Sequence, residues 1–494
     1  MQTNVAYSAL HTDLKLDPAI PLVVDLDGTL TPTDTFVEMI IHLIKQSPLS
    51  LFLLPAWLLR GIAYFKARVA QVTHFSASAL PYRQDLVQFL VEEKARGRQL
   101  ILATAANESI AHAVAAHLRL FDQVIASDAT HNLKGSRKLA AIREKVGDAF
   151  VYAGDSHVDV PIWRAARAAV LVGVSARLSS AVKQSVPAER EFFAATPTVK
   201  TWAKALRVHQ WLKNLLVFVP LLTAFSFSEP AAVGKLLLAF FAFSFAASAT
   251  YIVNDLSDLG SDRVHARKRS RPFASCAISI AHGMAAAVAL VVCAFLLAAL
   301  VSPGFSLVLL TYMTITTIYT WRLKEYVLID VLTLAVLYTI RIVAGAVAIG
   351  VTMSPWLLAF SVFMFLSLAL VKRCSELVSL RAADIESAKG RDYRTTDLVI
   401  LWPLGVGTAL SSVVIFGLFI SASETKERYA TPDALWIVAL GLIYWLTRLW
   451  IKTARGEMHD DPIVYALKNR GSRLTIAVTI IAMVIGHFFE LLPK

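Results

Sequence analysis

The chain has 494 residues, 56% of them hydrophobic and 17% charged, with a mean hydropathy of +0.59. That is too apolar on average for a soluble enzyme. The net charge of +12 falls between alternate apolar runs and has no aromatic-basic module beside it, so a positive-inside membrane pattern replaces nucleic-acid binding as its explanation.

Residues from about 1 to 205 read as a mixed soluble domain. The opening "MQTNVAYSALHTDLKLDPAI" has no basic start followed by an apolar stretch, so no signal peptide is predicted and the domain is expected in the cytoplasm. "LVVDLD", "QLILAT" and "AFVYAGD" are predicted buried strands, with helical patterns such as "DLVQFLVEEKARG" between them. This alternation predicts a parallel sheet covered on both faces. Acidic residues fall at the carboxyl ends of the strands, where open α/β sheets bind ligands. The segment Phe36 to Gln71 is helical but greasier than a soluble surface, and it is broken by Pro55 and Arg60. It reads either as a helical cap over the sheet, within about 36–80, or as a hairpin lying in a membrane interface.

From Trp211 onward nine spans are predicted, at about 211–227, 232–253, 280–301, 304–321, 327–349, 355–371, 398–420, 434–450 and 474–491. Basic clusters follow the even-numbered spans, whereas the opposite loops are tiny ("SPG", 302–304) or carry only Lys426 and Arg428. A multi-pass protein of a bacterial cytoplasmic membrane with its N-terminal domain inside is therefore expected. The three cysteines, Cys276, Cys293 and Cys374, are far apart and read as reduced and structural.

"VVDLDGTLTPTDT", Val23 to Thr35, is followed in order by "LILATAANES", a lysine in "NLKGSRKLAAI", and "YAGDSHVD". Over roughly residues 20–180 this set resembles the haloacid dehalogenase (HAD) phosphatases. The resemblance implies Asp25 as nucleophile, Asp27 as the acid/base beside it, Thr104 as a hydroxyl donor, and Asp155 and Asp159 joining Asp25 and Asp27 around Mg²⁺. A carboxylate can attack phosphorus only when a cation offsets its charge. The family's lysine is Lys138 or Lys134, with Lys138 matching the spacing better.

"YIVNDLSDLGSDRVHARKRSRPF" places Asp255, Asp258 and Asp262 at i, i+3 and i+7, on one face of a helix, with Asn254 beside them. Three carboxylates at a membrane edge are costly unless paired. The spacing reads as a Mg²⁺–diphosphate site with nearby arginines as phosphate ligands, or else as a solvated loop neutralised by its own arginines. Residues from about 204 to 494 resemble the UbiA superfamily of intramembrane transferases, whose first motif is NDxxDxxxD. The superfamily's second motif, DxxxD, is missing: Asp392 and Asp397 have a different spacing. "LRVHQWLKNLLVFVPL", "KRSRP", "KRCSEL" and "DPIVYALKNR" resemble the branch of decaprenyl-phosphate phosphoribosyltransferases.

That resemblance implies phosphoribosyl diphosphate (PRPP) as donor and a polyprenyl phosphate as acceptor. Asn254, Asp255, Asp258 and Asp262 would hold Mg²⁺ and the departing diphosphate, with Asp255 and Asp258 central to catalysis. Lys213, Arg267, Arg271, Lys372 and Arg373 would neutralise phosphates, and Glu376 would orient a basic neighbour or the ribose. Tyr338 and Arg341, one turn apart inside a span, read as a second phosphate contact or as a structural pair.

The expectation is thus a multidomain protein: a HAD-like α/β (Rossmann-type) domain over 1–200 and an all-α UbiA-like membrane domain over 204–494. It would transfer phosphoribose to the lipid and then remove the 5-phosphate. The competing expectation is a UbiA-type prenyltransferase using a prenyl diphosphate, with an attached phosphatase.

Overall fold

The computed structural model describes residues 17–73, 75–194, 196–387, 391–458 and 462–489; Lys389 in a basic loop and Asp461 of "DPIVYALKNR" lie outside them. The chain forms two compact units, Met1–Ala205 with Ile252–Ala285, and Leu206–Tyr251 with Ala286–Lys494. The segment carrying the second acidic motif therefore groups with the α/β unit, not with the remaining helices.

In the first unit six strands form one parallel sheet. They are β1 (Leu22–Val24), β2 (Leu100–Asn107), β3 (Gln123–Ser127), β4 (Val151–Gly154), β5 (Ala168–Val172) and β6 (Ala188–Phe192), in the order 3-2-1-4-5-6. Successive side chains of a strand face opposite sides. Leu22 and Val24 accordingly join one core with Leu100, Leu102 and Val151, while Val23 joins the other with Ile101 and Tyr152. The chain leaves β1 first toward β2 and later toward β4. The carboxyl ends of β1 and β4 thus flank the point where the winding reverses, the usual ligand crevice of such sheets.

The segment after β1 is a helical cap. It consists of α1 (Thr35–Gln46), α2 (Leu54–Leu58) and α3 (Ile62–Val72). Asp34 caps α1 by accepting from the Phe36 and Val37 N–H groups. Met39, Leu43, Phe65 and Val69 are buried in the same core as the sheet. The turn between α1 and α3 keeps Leu49, Phe52, Leu58 and Leu59 exposed, Leu59 at 90%. One side of the segment is a cap, and its tip retains the apolar surface expected of an interfacial hairpin.

Among the described residues seven helices are long and apolar enough to cross a membrane: Pro230–Ser257, Ile280–Val301, Ile329–Ile349, Pro355–Ala382, Thr395–Ser421, Pro432–Ala454 and Arg470–Phe488. The expected number was nine, and the two differences have local causes. The first predicted span is instead a 3₁₀ helix, Val208–Phe218, followed by a short α-helix, Val219–Thr223. Pro220 has no N–H to continue the ladder, and Lys213 and Asn214 are buried within the 3₁₀ stretch. The helix Pro303–Trp321 has the length but carries five threonines, which lower its apolarity. Each of those hydroxyls donates to the carbonyl four residues earlier, so all five are satisfied inside the helix.

Gly345 and Gly350, at the end of the helix Ile329–Ile349 and just past it, serve different purposes. A Cβ on Gly345 would lie 2.0 Å from the Val217 carbonyl oxygen, so the close approach requires glycine there. Gly350 has φ of +72° and open space around it; it ends the helix Ile329–Ile349 as a left-handed cap.

Candidate functional site

The first centre is built at the ends of β1 and β4. Asp25 follows β1 directly and its Oδ1 accepts from the Leu26 N–H at 2.8 Å. Lys138, in the first turn of the helix Ser136–Val146, donates from Nζ to Asp25 Oδ2 at 2.8 Å and to the Tyr152 hydroxyl at 3.0 Å. Lys134 is exposed, and Lys138 is the lysine brought to Asp25. Asp159 is buried and accepts from the Tyr152 hydroxyl at 2.9 Å and from the Ser156 N–H and hydroxyl at 3.2 and 3.1 Å. Asp25, Asp155 and Asp159 each offer an oxygen within 4.8 Å of the others. A Cβ on Gly28 would lie 2.1 Å from Asp155 Oδ2, so this glycine opens the cradle for that carboxylate.

The electrostatics follow from this crowding. Burial, then the charges of Asp25 and Asp159, push the Asp155 pKa up to about 7. Burial, with Asp34 nearby, pushes Asp27 up to about 7, even though the Thr35 N–H donates to its Oδ1 at 2.9 Å. Burial opposes the Lys138 ammonium, but the Asp25 and Asp159 carboxylates outweigh it and raise its pKa. One lysine facing three convergent carboxylates leaves a net negative, oxygen-only donor set, which suits a hard divalent cation.

Thr104, expected as a hydroxyl donor, does not end its strand: β2 continues to Asn107, whose side chain caps the next helix by accepting from the Ser109 N–H. Thr104 is fully buried inside the strand, and its hydroxyl accepts from the Ala106 N–H at 3.0 Å. The sequence reading missed Lys66. From α3 it donates to the Ala105 carbonyl at 2.7 Å, and burial, acting against Asp27 and Asp34, lowers its pKa. A lysine inside an otherwise greasy segment was the available signal.

The second acidic motif lies where the helix Pro230–Ser257 passes into the short helix Leu259–Val264. Arg271 Nη1 donates to Asp255 Oδ1 at 3.1 Å and to Asp262 Oδ2 at 2.6 Å. Asp262 Oδ1 is buried and has no partner, so it is a ready ligand atom for a cation. Asp258 instead meets Lys45 Nζ of α1 at 2.5 Å. Among the described residues these three carboxylates do not converge as the first three do. Arg263 makes a two-point contact with Glu38 of α1, at 2.6 and 2.8 Å. Asn254 is half-buried, and Arg267 stands in the exposed stretch 264–270. Lys45, Glu38 and Arg263 were not singled out from sequence, because nothing local pairs residues more than 200 positions apart.

In the second unit, Lys213 Nζ lies 5.8 Å from the Tyr338 ring centre, and the Arg341 guanidinium lies 5.6 Å from the same ring. Every Arg341 nitrogen donates to a protein group: Asn214 Oδ1 at 2.9 Å, the Tyr312 hydroxyl at 2.9 Å and the Leu337 carbonyl. These contacts match the expectation of a structural pair. Arg373 is likewise committed. It is fully buried, donates to Asp330 Oδ2 at 2.9 Å and contacts Glu376, which also accepts from Arg391 at 3.3 Å. Asp330, which the sequence reading passed over, accepts from the Tyr319 hydroxyl at 2.7 Å as well. Lys372 is half-buried beside Arg373.

Comparison with known proteins gives two family matches. The UbiA prenyltransferase family matches residues 215–469, and the haloacid dehalogenase-like hydrolases match residues 22–164. A protein of Sinorhizobium fredii, y4nM, is 39% identical over 92% of this chain and 89% of its own length. The nodulation protein NoeC of Azorhizobium caulinodans is 33% identical over 61% of this chain and 96% of its own. A decaprenyl-phosphate phosphoribosyltransferase of Mycobacterium tuberculosis is 32% identical over 44% of this chain and 72% of its own. The solved structure of a UbiA homolog from Archaeoglobus fulgidus bound to GPP and Mg²⁺ is 17% identical, covers 57% of this chain and 99% of that one, and has a TM-score of 0.44. The chain belongs to the UbiA prenyltransferase family, as a multi-pass membrane protein with a haloacid dehalogenase-like domain ahead of its helices.

Proposed function

We propose that the chain is a two-step membrane enzyme, with a phosphatase domain over 1–200 and a transferase domain over 204–494. The transferase joins the phosphoribosyl group of PRPP to a polyprenyl phosphate, and the phosphatase removes the 5-phosphate. The observation that carries the phosphatase half is the convergence of Asp25, Asp155 and Asp159 on one lysine at a sheet crevice. The transferase half is supported by the acidic motif and by relatives named decaprenyl-phosphate phosphoribosyltransferase.

Mg²⁺, held by Asp25, Asp155 and Asp159, would offset the charge between carboxylate and phosphate. Asp25 attacks phosphorus and takes the phosphoryl group, while the leaving 5-oxygen takes the proton of Asp27. Asp27, now a carboxylate, deprotonates the water that releases phosphate. Its raised pKa keeps that proton available near neutral pH. Lys138 holds Asp25 in place and balances part of the charge. At the acidic motif, Asp255, Asp258 and Asp262 would hold a second Mg²⁺ with the diphosphate. The C1–O bond breaks, the electron pair leaves with diphosphate, and the lipid phosphate oxygen bonds to C1. Both sites face the cytoplasm in this reading, and the apolar cap tip rests on the bilayer where the lipid-linked product lies.

The test is incubation of the full chain with polyprenyl phosphate, PRPP and Mg²⁺, with lipid products read by mass spectrometry. Wild type should yield lipid-phosphoryl ribose, and Asp25→Asn should stop at the 5-phosphorylated lipid. Absence of any ribosylated lipid refutes the donor and makes prenyl diphosphates the next donors to try.

A further inference from the structure

Helix α1 reaches both acidic centres. At its start the Thr35 N–H donates to Asp27 Oδ1 at 2.9 Å, and near its end Lys45 Nζ donates to Asp258 Oδ1 at 2.5 Å. Ten residues of α-helix separate the two contacts, a rise of about 15 Å. Between them Glu38 accepts both Arg263 Nη donors and also the Thr33 hydroxyl at 2.5 Å. A planar two-point pair fixes orientation as well as distance. Since the Glu38 and Arg263 side chains are only 17% and 9% exposed, this clamp sets which way the Lys45 face of α1 points. A cleft of about 250 Å³ runs beside the clamp, lined among others by Thr35, Glu38, His42, Leu256, Gly260 and Arg263.

The Lys45–Asp258 contact has a different character. Its side chains are 44% and 23% exposed, and the lysine is a point charge on a flexible stem. Such a pair holds little energy against water and exchanges easily. If a divalent cation takes the carboxylates, Lys45 loses its partner at the place where the cation's own anionic ligand arrives. We propose that Lys45, carried on the phosphatase cap, is a diphosphate ligand of the acidic-motif site. It exchanges Asp258 for phosphate oxygen when metal and diphosphate bind. This rests on reading Asp255, Asp258 and Asp262 as a metal–diphosphate site. It makes the cap helix part of both reactions.

The test measures Mg²⁺-dependent binding of inorganic pyrophosphate by calorimetry on the full chain in detergent. Every variant carries Asp25→Asn and Asp155→Asn, to silence the phosphatase centre. Lys45→Ala should weaken pyrophosphate binding about tenfold, or about 1.4 kcal/mol, and Lys45→Arg should restore it. Asp255→Asn should abolish it. If Asp255→Asn abolishes binding while Lys45→Ala leaves it unchanged, the role of Lys45 is overturned and the metal–diphosphate reading stands. If Asp255→Asn leaves binding intact, that reading falls and takes the role of Lys45 with it.

Discussion

The two acidic centres use the same residue type and hold it differently. Asp25, Asp155 and Asp159 are 130 or more positions apart at their extremes, yet their oxygens lie within 4.8 Å. Adjacent parallel strands bring their carboxyl ends side by side whatever the loop length between them. Asp255, Asp258 and Asp262 are neighbours in sequence, and the helix breaks at Asp258, which takes the N-cap position of the next short helix. Arg271 Nη1 reaches both Asp255 and Asp262, while Asp258 turns away to Lys45. The sheet edge gathers three carboxylates around one lysine, whereas the broken helix divides its three between two cations. The first centre is therefore already shaped for a cation, and the second is held by protein cations that a ligand must replace.

The comparison can be broken most sharply at Asp25, the proposed nucleophile. Asp25→Asn should lower phosphatase turnover by roughly 10⁴-fold or more, as expected when a nucleophile is lost, measured on a soluble phosphate ester. At the acidic-motif centre, Asp258→Asn should lower the proposed phosphoribosyl transfer by roughly 10²–10³-fold, in line with the loss of one charge-stabilising group.

Stability separates the centres further. Lys138→Met leaves the buried Asp25 and Asp159 carboxylates, and the half-buried Asp155 beside them, without their cation. It should cost about 3–5 kcal/mol in metal-free buffer, seen as a lowered thermal midpoint that Mg²⁺ restores. A centre that loses nothing in this variant is not the crowded charge cluster described above.

The pH dependence tests the same crowding. Asp27 must carry a proton to act as acid, and its pKa is raised to about 7, so the phosphatase rate should fall as pH rises through about 7. Asp155, also raised to about 7, must lose its proton to bind a cation, so Mg²⁺ affinity should increase with pH up to that point. A rate profile flat from pH 6 to 8 would contradict the assignment of Asp27. The smallest expected effect lies at the second centre: Lys45→Ala should change stability by less than about 1 kcal/mol, because the pair is exposed.

Much of this was legible in the chain itself. The strand patterns and the order of the phosphatase motifs placed Asp25, Asp27, Asp155 and Asp159 at strand ends, because alternation and turn chemistry are local properties. The apolar runs marked the spanning helices for the same reason. The two further expected spans differ where local chemistry competes with length, at Pro220 and along the threonine-rich helix Pro303–Trp321.

What sequence by itself determined is the pair of motif sets, a haloacid dehalogenase-like series at strand ends and an acidic motif at a helix end, since each is written in short contiguous stretches. Only the tertiary structure brought Lys138 rather than Lys134 to Asp25, gave Arg341 and Arg373 their protein partners, and brought Lys45 and Glu38 to Asp258 and Arg263. Those are contacts between side chains distant in the chain, and their partners depend on how whole elements pack.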